Sequence, residues 1–228
     1  MFLTLSYHMI DRTIHDEIAI SEEAFESQLN YLRGHGYHIL SLEQAIDDID
    51  GKRAVPPRSL LLTFDDAYAD NARTALPLLQ QHGMRATLFV ISAYAGQSNR
   101  WNPRACYDTR HMTWDELRSW LAGGCEIGGH SHSHLCMTRL HVRELEETVQ
   151  LNKHLLQERL AVTPRAFAYP YGRFNGVVQD IVRQHYEIAF TIEAGAWDAT
   201  ADRYAINRMM VLPTWSIEEF AMRLHRYI

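Results

Sequence analysis

Two short stretches, Thr63-Phe64-Asp65-Asp66 and His130-Ser131-His132-Ser133-His134, hold the residue types from which a metal site is built. One carboxylate and two imidazoles make a three-ligand site with open positions, the pattern of a catalytic rather than a structural metal. The carboxylate left over stands beside the ion and is free to act as a base. Histidines four apart share one face of a turn, which favours His130 and His134 over His132 as ligands. Spacing alone does not decide the pair. Taken singly, each residue has a plainer reading: Asp66 as the cap of a following helix, the histidines as exposed loop residues. The same ligand set also holds Fe(II) in oxygenases, a rival chemistry that 2-oxoglutarate turnover would reveal.

The residues around these stretches read as the elements that position them. Ser59, Leu60, Leu61, Leu62 and Thr63 form a buried strand that delivers the carboxylates to its C-terminal end. A second short strand runs through Cys125 to Gly129 into the histidines. Strands are also expected at 2–7, 37–40, 85–91, 166–169, 188–192 and 206–211. Between them lie helices capped by Ser21, by Ser41 with Gln44, by Thr113 with Glu116, and by Ser216 with Glu219. Further helices are expected over 71–82, 141–160 and 175–185. This alternation predicts an α/β fold with a parallel sheet in one domain, residues 1–228. In β/α barrels the site lies at the C-terminal strand ends, where Asp65-Asp66, the histidines and Pro170-Tyr171-Gly172 all fall. Residues 93–112 have no period, and a loop of that length is often functional.

Composition narrows the function. A chain of 228 residues, 46% hydrophobic, can bury a full core. A net charge of −6 gives no electrostatic case for nucleic acid or an anionic membrane. Cys106, Cys125 and Cys136 are an odd number without CxxC spacing and imply no disulfide framework. The start, Met1 to His8, lacks a basic segment followed by a long apolar run, so no signal peptide is read and a cytoplasmic location is expected. No transmembrane segment is expected, and the oligomeric state is left open.

Thr63-Phe64-Asp65-Asp66, His130-Ser131-x-x-His134 and Pro170-Tyr171-Gly172 resemble, in order, the first three motifs of the polysaccharide deacetylases, the NodB-homology or carbohydrate esterase family 4 domain. The Tyr7-His8 start is most similar to the branch of poly-β-1,6-N-acetylglucosamine deacetylases. The resemblance implies a distorted (β/α) barrel of about seven parallel strands. It also implies hydrolysis of an N-acetyl group on an N-acetylated carbohydrate, with a divalent metal, Zn²⁺ first and Co²⁺ or Ni²⁺ as alternatives. By matching motifs, Asp66, His130 and His134 would bind the metal, Asp65 would be the base, and the Tyr171 N–H would stabilise the oxyanion. His8 would be the general acid, in preference to His225, which matches a C-terminal motif only superficially.

Two departures from the family pattern stand out. Ala67 occupies a position that is glycine in many members, and Ala168 one that is arginine in many. Arg208 is expected to supply the missing cation to Asp65. Trp197 is expected to form a pocket wall for the acetyl methyl or the sugar face, with Trp101 and Tyr107 as sugar-stacking groups. The expected function is N-deacetylation of an N-acetylhexosamine-containing polymer, oligosaccharide or precursor. The alternative is a degenerate domain that binds glycan or metal without catalysis, motivated by Ala67 and Ala168.

Overall fold

A computed structural model describes residues 1–11, 13, 14, 16–99 and 109–228. In chain order the strands are β1 (Phe2–Tyr7), β2 (Met9–Ile10), β3 (Ala19–Ile20), β4 (His38–Ile39), β5 (Ser59–Phe64), β6 (Thr87–Val90), β7 (Glu126–Gly129), β8 (Ala166–Ala168), β9 (Ile188–Phe190), β10 (Ala196–Trp197) and β11 (Met209–Met210). The α-helices are α1 (Glu22–Gly34), α2 (Leu42–Ile49), α3 (Leu76–Gln81), α4 (Trp114–Ala122), α5 (Val142–Leu160), α6 (Gly176–His185) and α7 (Ile217–His225).

β1, β5, β6, β7, β8 and β9 pair in that order, all parallel. Phe190 then bridges to Ile206, and β11 pairs in parallel with Leu5 and Ser6 of β1. The last strand is thereby led back to the first, and seven parallel strands curl into the distorted barrel expected from the resemblance. β10 adds an antiparallel pair at Phe2 and Leu3, and β4 flanks the first residues of β5.

Alternation along the strands sorts side chains to two sides. Leu3, Leu5, Tyr7, Leu60, Leu62 and Phe64 point outward into a core shared with Phe25, Leu29 and Leu32 of α1. Phe2, Leu61, Phe89, Ala166, Phe190 and Ile206 fill the barrel interior. The inward set on β5 continues through Thr63 to Asp65, so the strand's own pleat carries that carboxylate into the barrel mouth.

The helix expected over 71–82 instead opens with a π-helical turn, Asn71–Ala75, before α3. Pro77 has no N–H to donate to the fourth residue back, so a regular α-helical ladder cannot pass through it. The two-residue β2–β3 pair went unread, because two residues show no alternation. Among the described residues, no helix is long and apolar enough to cross a membrane.

Candidate metal centre

Asp65 makes the last ladder bond of β5, its N–H donating to the Tyr7 carbonyl at 2.9 Å. The backbone then turns sharply, with Asp66 at φ +69° and Ala67 at φ +57°. That turn lets adjacent carboxylates face one site, which an ideal strand would forbid. It is pinned from outside: His111 Nδ1 bonds the Asp66 carbonyl at 2.7 Å, and the Met112 N–H bonds that of Ala67, also at 2.7 Å. A left-handed conformation costs a side chain about 1–2 kcal/mol, which explains why glycine suits position 67 in many family members. Here the fixed turn holds an alanine in the strained conformation.

The histidines leave β7 through Gly128 and Gly129. A Cβ on Gly129 would sit 2.3 Å from the Tyr186 hydroxyl and 2.6 Å from Asn152 Oδ1, so only glycine lets α5 approach this closely. Asn152 uses that approach to donate to the carbonyls of Val90 at 2.9 Å and Ser131 at 2.6 Å. The Ser131 hydroxyl accepts from the His134 N–H at 3.0 Å, closing the turn. His130 Nδ1–H donates to the Ala168 carbonyl at 2.7 Å, which fixes its tautomer and frees Nε2. His132 points away, with Nδ1 at 3.0 Å from Ser92 Oγ.

Asp66 Oδ1 stands 3.4 Å from Nε2 of both His130 and His134. All three residues are buried, and one ligand atom from each lies within 4.8 Å of the others. Asp66 Oδ1 is buried with no hydrogen-bond partner, a costly state that a cation would relieve. Two ligands about 2.0–2.1 Å from one tetrahedral ion stand roughly 3.4 Å apart, so the spacing suits a shared metal. Burial opposes ionisation of Asp66, but its interactions with the His134 and His130 rings outweigh it and hold the carboxyl below the usual range. Burial pushes His134 down to about 3, leaving a neutral imidazole ready to ligate. Burial also disfavours His130 as a cation, yet Asp66 and Asp65 raise it.

Asp65 is not part of this cluster. Arg208 grips it with both ends of its fork, Nη1 to Oδ1 and Nη2 to Oδ2, each at 2.7 Å. Arg208 itself is fully buried against the rings of Phe89 and Phe190 and donates Nε–H to the Thr191 carbonyl at 2.8 Å. Burial would raise the Asp65 carboxyl, but the guanidinium holds it below the usual range and ionised. His8 Nε2 lies 3.9 Å from Asp65 Oδ2. The segment carrying His8 is tied down by Asn71, which donates to the His8 carbonyl at 2.8 Å, and by Asp70, which accepts from the Ile10 N–H at 2.6 Å.

Tyr171 follows Pro170 at φ +59°, and its ring meets His134 edge-on at 4.6 Å. Gly172 cannot be replaced without moving Ile192, whose Cγ1 would lie 2.3 Å from a new Cβ. Of the seven non-glycine residues with positive φ among those described, Asp66, Ala67, Ser131, His134 and Tyr171 all surround this centre. Such strain gathers where function holds a backbone in place. A cleft of about 510 Å³ opens beside it, lined by Tyr94, Ser133, His134, Leu135, Cys136, Arg139, Tyr171 and Arg173.

Trp197 does not join the site. It sits on β10 opposite Phe2, with the rings 6.4 Å apart, and is buried in the barrel interior. Five residues of β1 separate that end from the Tyr7-His8 end, roughly 16 Å at strand rise. The pocket-wall expectation is therefore wrong: the indole fills the floor of the barrel. His225 is exposed on α7. Trp101 and Tyr107 lie outside the described residues. Sequence reasoning missed His111 and Asn152. Asn152 left a trace, a polar residue on the buried stripe of Val149 and Leu156, but nothing in the sequence marked His111.

The polysaccharide deacetylase family model matches residues 52–187, more than half of the chain. The poly-beta-1,6-N-acetyl-D-glucosamine N-deacetylase of Escherichia coli (strain K12) is 23% identical over 98% of this chain, which spans 38% of that protein's length. The protein of that name in Staphylococcus epidermidis is 24% identical, over 85% of this chain and 68% of its own. IcaB from Ammonifex degensii superposes with a TM-score of 0.87 at 25% identity, covering 98% of this chain and 96% of that one. The Streptococcus pyogenes deacetylase PplD, solved with acetate, shows the same fold at TM-score 0.87 and 22% identity, over 98% and 97% of the two chains. The three motifs thus belong to one continuous match, and this chain is a member of the polysaccharide deacetylase family.

Proposed function

We propose that this protein hydrolyses the N-acetyl group of an N-acetylhexosamine-containing glycan, with Asp66, His130 and His134 holding a divalent metal. The names of its relatives make β-1,6-linked N-acetylglucosamine the substrate class to try first. Zn²⁺ suits two imidazoles and one carboxylate with open positions, and Co²⁺ or Ni²⁺ are the next choices. When bound, the metal polarises the amide carbonyl and acidifies the attacking water.

The observation that carries the reading is the division between the two carboxylates. Asp66 faces the imidazoles, while Asp65 is turned to Arg208 and kept ionised beside the centre. Asp65 takes the proton of the attacking water as general base. The Tyr171 N–H stabilises charge on the former carbonyl oxygen, a contribution of about 3–4 kcal/mol for one such donor. His8, across from Asp65, delivers a proton to the departing amine; amine expulsion requires it, because an amide anion is a poor leaving group. Water attack breaks the C–N bond and yields acetate and the free amine.

The test is acetate release from β-1,6-N-acetylglucosamine oligomers by metal-stripped protein, with and without added Zn²⁺ or Co²⁺. Release restored by metal supports the reading. Release that persists undiminished in chelator, or is absent with every metal and N-acetylated glycan tried, contradicts it.

A further inference from the structure

The cleft beside the metal centre has a charge of its own. Arg139 closes the short turn Met137–Arg139, and Arg173 follows the turn Pro170–Gly172, so two loops bring guanidinium groups to one cavity. Arg173 reaches the Cys136 thiol on the cavity wall, and Arg139 is close enough for its charge to act on that thiol. The same wall carries His134 and Tyr171, so the cavity adjoins the metal centre. None of the lining residues is a carboxylate.

Several exposed or half-exposed arginines of this acidic chain pair with a nearby carboxylate, as Arg110 does with Glu116, Arg165 with Glu187 and Arg223 with Glu219. Among the described residues, neither Arg139 nor Arg173 has an acidic partner. Guanidinium forks match the oxygens of carboxylate and phosphate, which bind them in bidentate fashion. A neutral N-acetylglucosamine polymer offers such forks only hydroxyls and carbonyls, and one already partly deacetylated would be repelled by them.

We propose that Arg139 and Arg173 form an anion subsite, and that the preferred substrate carries a phosphate or carboxylate close to the N-acetyl sugar. This rests on the deacetylase reading and narrows its substrate class. The experiment compares three substrates on the metal-loaded protein: neutral N-acetylglucosamine oligomers, oligomers of matched length with a carboxylate on the neighbouring sugar, and oligomers with a reducing-end phosphate.

The expected result is a kcat/KM for one anionic series about 10-fold or more above the neutral one, shrinking at high salt. Arg139→Gln and Arg173→Gln should each lower that anionic-to-neutral ratio about 10-fold, and Arg173→Glu should invert it. Which series gains identifies phosphate or carboxylate as the source. Both side chains are exposed, so these substitutions do not threaten the fold. Equal kcat/KM for all three series, or a ratio that survives both substitutions, overturns the subsite while leaving deacetylation intact. Acetate from none of the three overturns the deacetylase reading, and the subsite with it.

Discussion

Replacing Arg208 with alanine leaves Asp65 buried without its cation. In the native chain the pair is bidentate at 2.7 Å, Arg208 is fully buried and Asp65 only 3% exposed. Removing one partner of a buried ion pair costs about 3–5 kcal/mol, because the remaining charge stays desolvated. For a chain of this size that lowers Tm by roughly 6–20 °C.

The pH dependence changes sign as well. In the native protein Asp65 titrates below its unfolded value of about 3.9, so the pair stabilises the fold above that pH and is lost as pH falls through the folded-state value. In Arg208→Ala, burial, the largest influence on Asp65, is opposed only by the smaller effects of His130 and His8, and the folded-state value should rise above the unfolded one. Stability from this group is then present in acid and lost as pH rises through the new value. With Asp65 as the proposed base, catalysis should follow its ionised form. The acidic limb of kcat/KM should move to higher pH, with a loss of about 10²–10⁴-fold at neutral pH that partly recovers in alkali. Urea unfolding across pH and the pH–rate profile read the two effects separately. The double variant Asp65→Asn with Arg208→Met should unfold at higher urea than Arg208→Ala alone, since neither position then leaves an unpaired buried charge. A variant with native stability and an unmoved acidic limb would refute the role given to Arg208.

Three further outcomes follow from the geometry. Asn152→Ala frees the buried carbonyls of Val90 and Ser131 and should cost about 2–3 kcal/mol in urea unfolding; a loosened histidine turn should also weaken Zn²⁺ binding about 10–100-fold in a competition titration. His8→Ala should lower kcat about 10²–10⁴-fold while metal affinity is retained, and a matching loss of metal would reassign His8 to structure. Burial pushes the Asp70 carboxyl up to about 6, above its unfolded value, so its contribution to stability is present below about pH 4 and disappears as pH rises through 6; Asp70→Asn should remove that component from the stability–pH curve.

The parts of the site legible in the sequence were those compressed into consecutive residues. Asp65-Asp66 and the histidine run each announced themselves, and the inward alternation of Leu61, Thr63 and Asp65 was a property of the strand alone. Helix starts were legible because a capping serine or threonine acts within four residues, as at Ser41 and Thr113. Arg208 could be reached only indirectly, through the alanine at 168, because its meeting with Asp65 spans 143 positions of chain. Asn152 and His111 act on backbone carbonyls of distant loops, and the sequence carries no local pattern for such contacts. Trp197 misled because a large aromatic serves a sugar face or a barrel floor equally well, and only the antiparallel pairing of β10 with Phe2 decides between them.

The central claim is that the two adjacent carboxylates have different work, Asp66 holding the metal and Asp65 acting as base. Metal content per chain, measured after Zn²⁺ loading and gel filtration alongside acetate release, tests it directly. The expected result is one equivalent in the wild type, one equivalent without acetate release in Asp65→Asn, and less than one in Asp66→Ala. A full equivalent in Asp66→Ala, or an active Asp65→Asn, would contradict it.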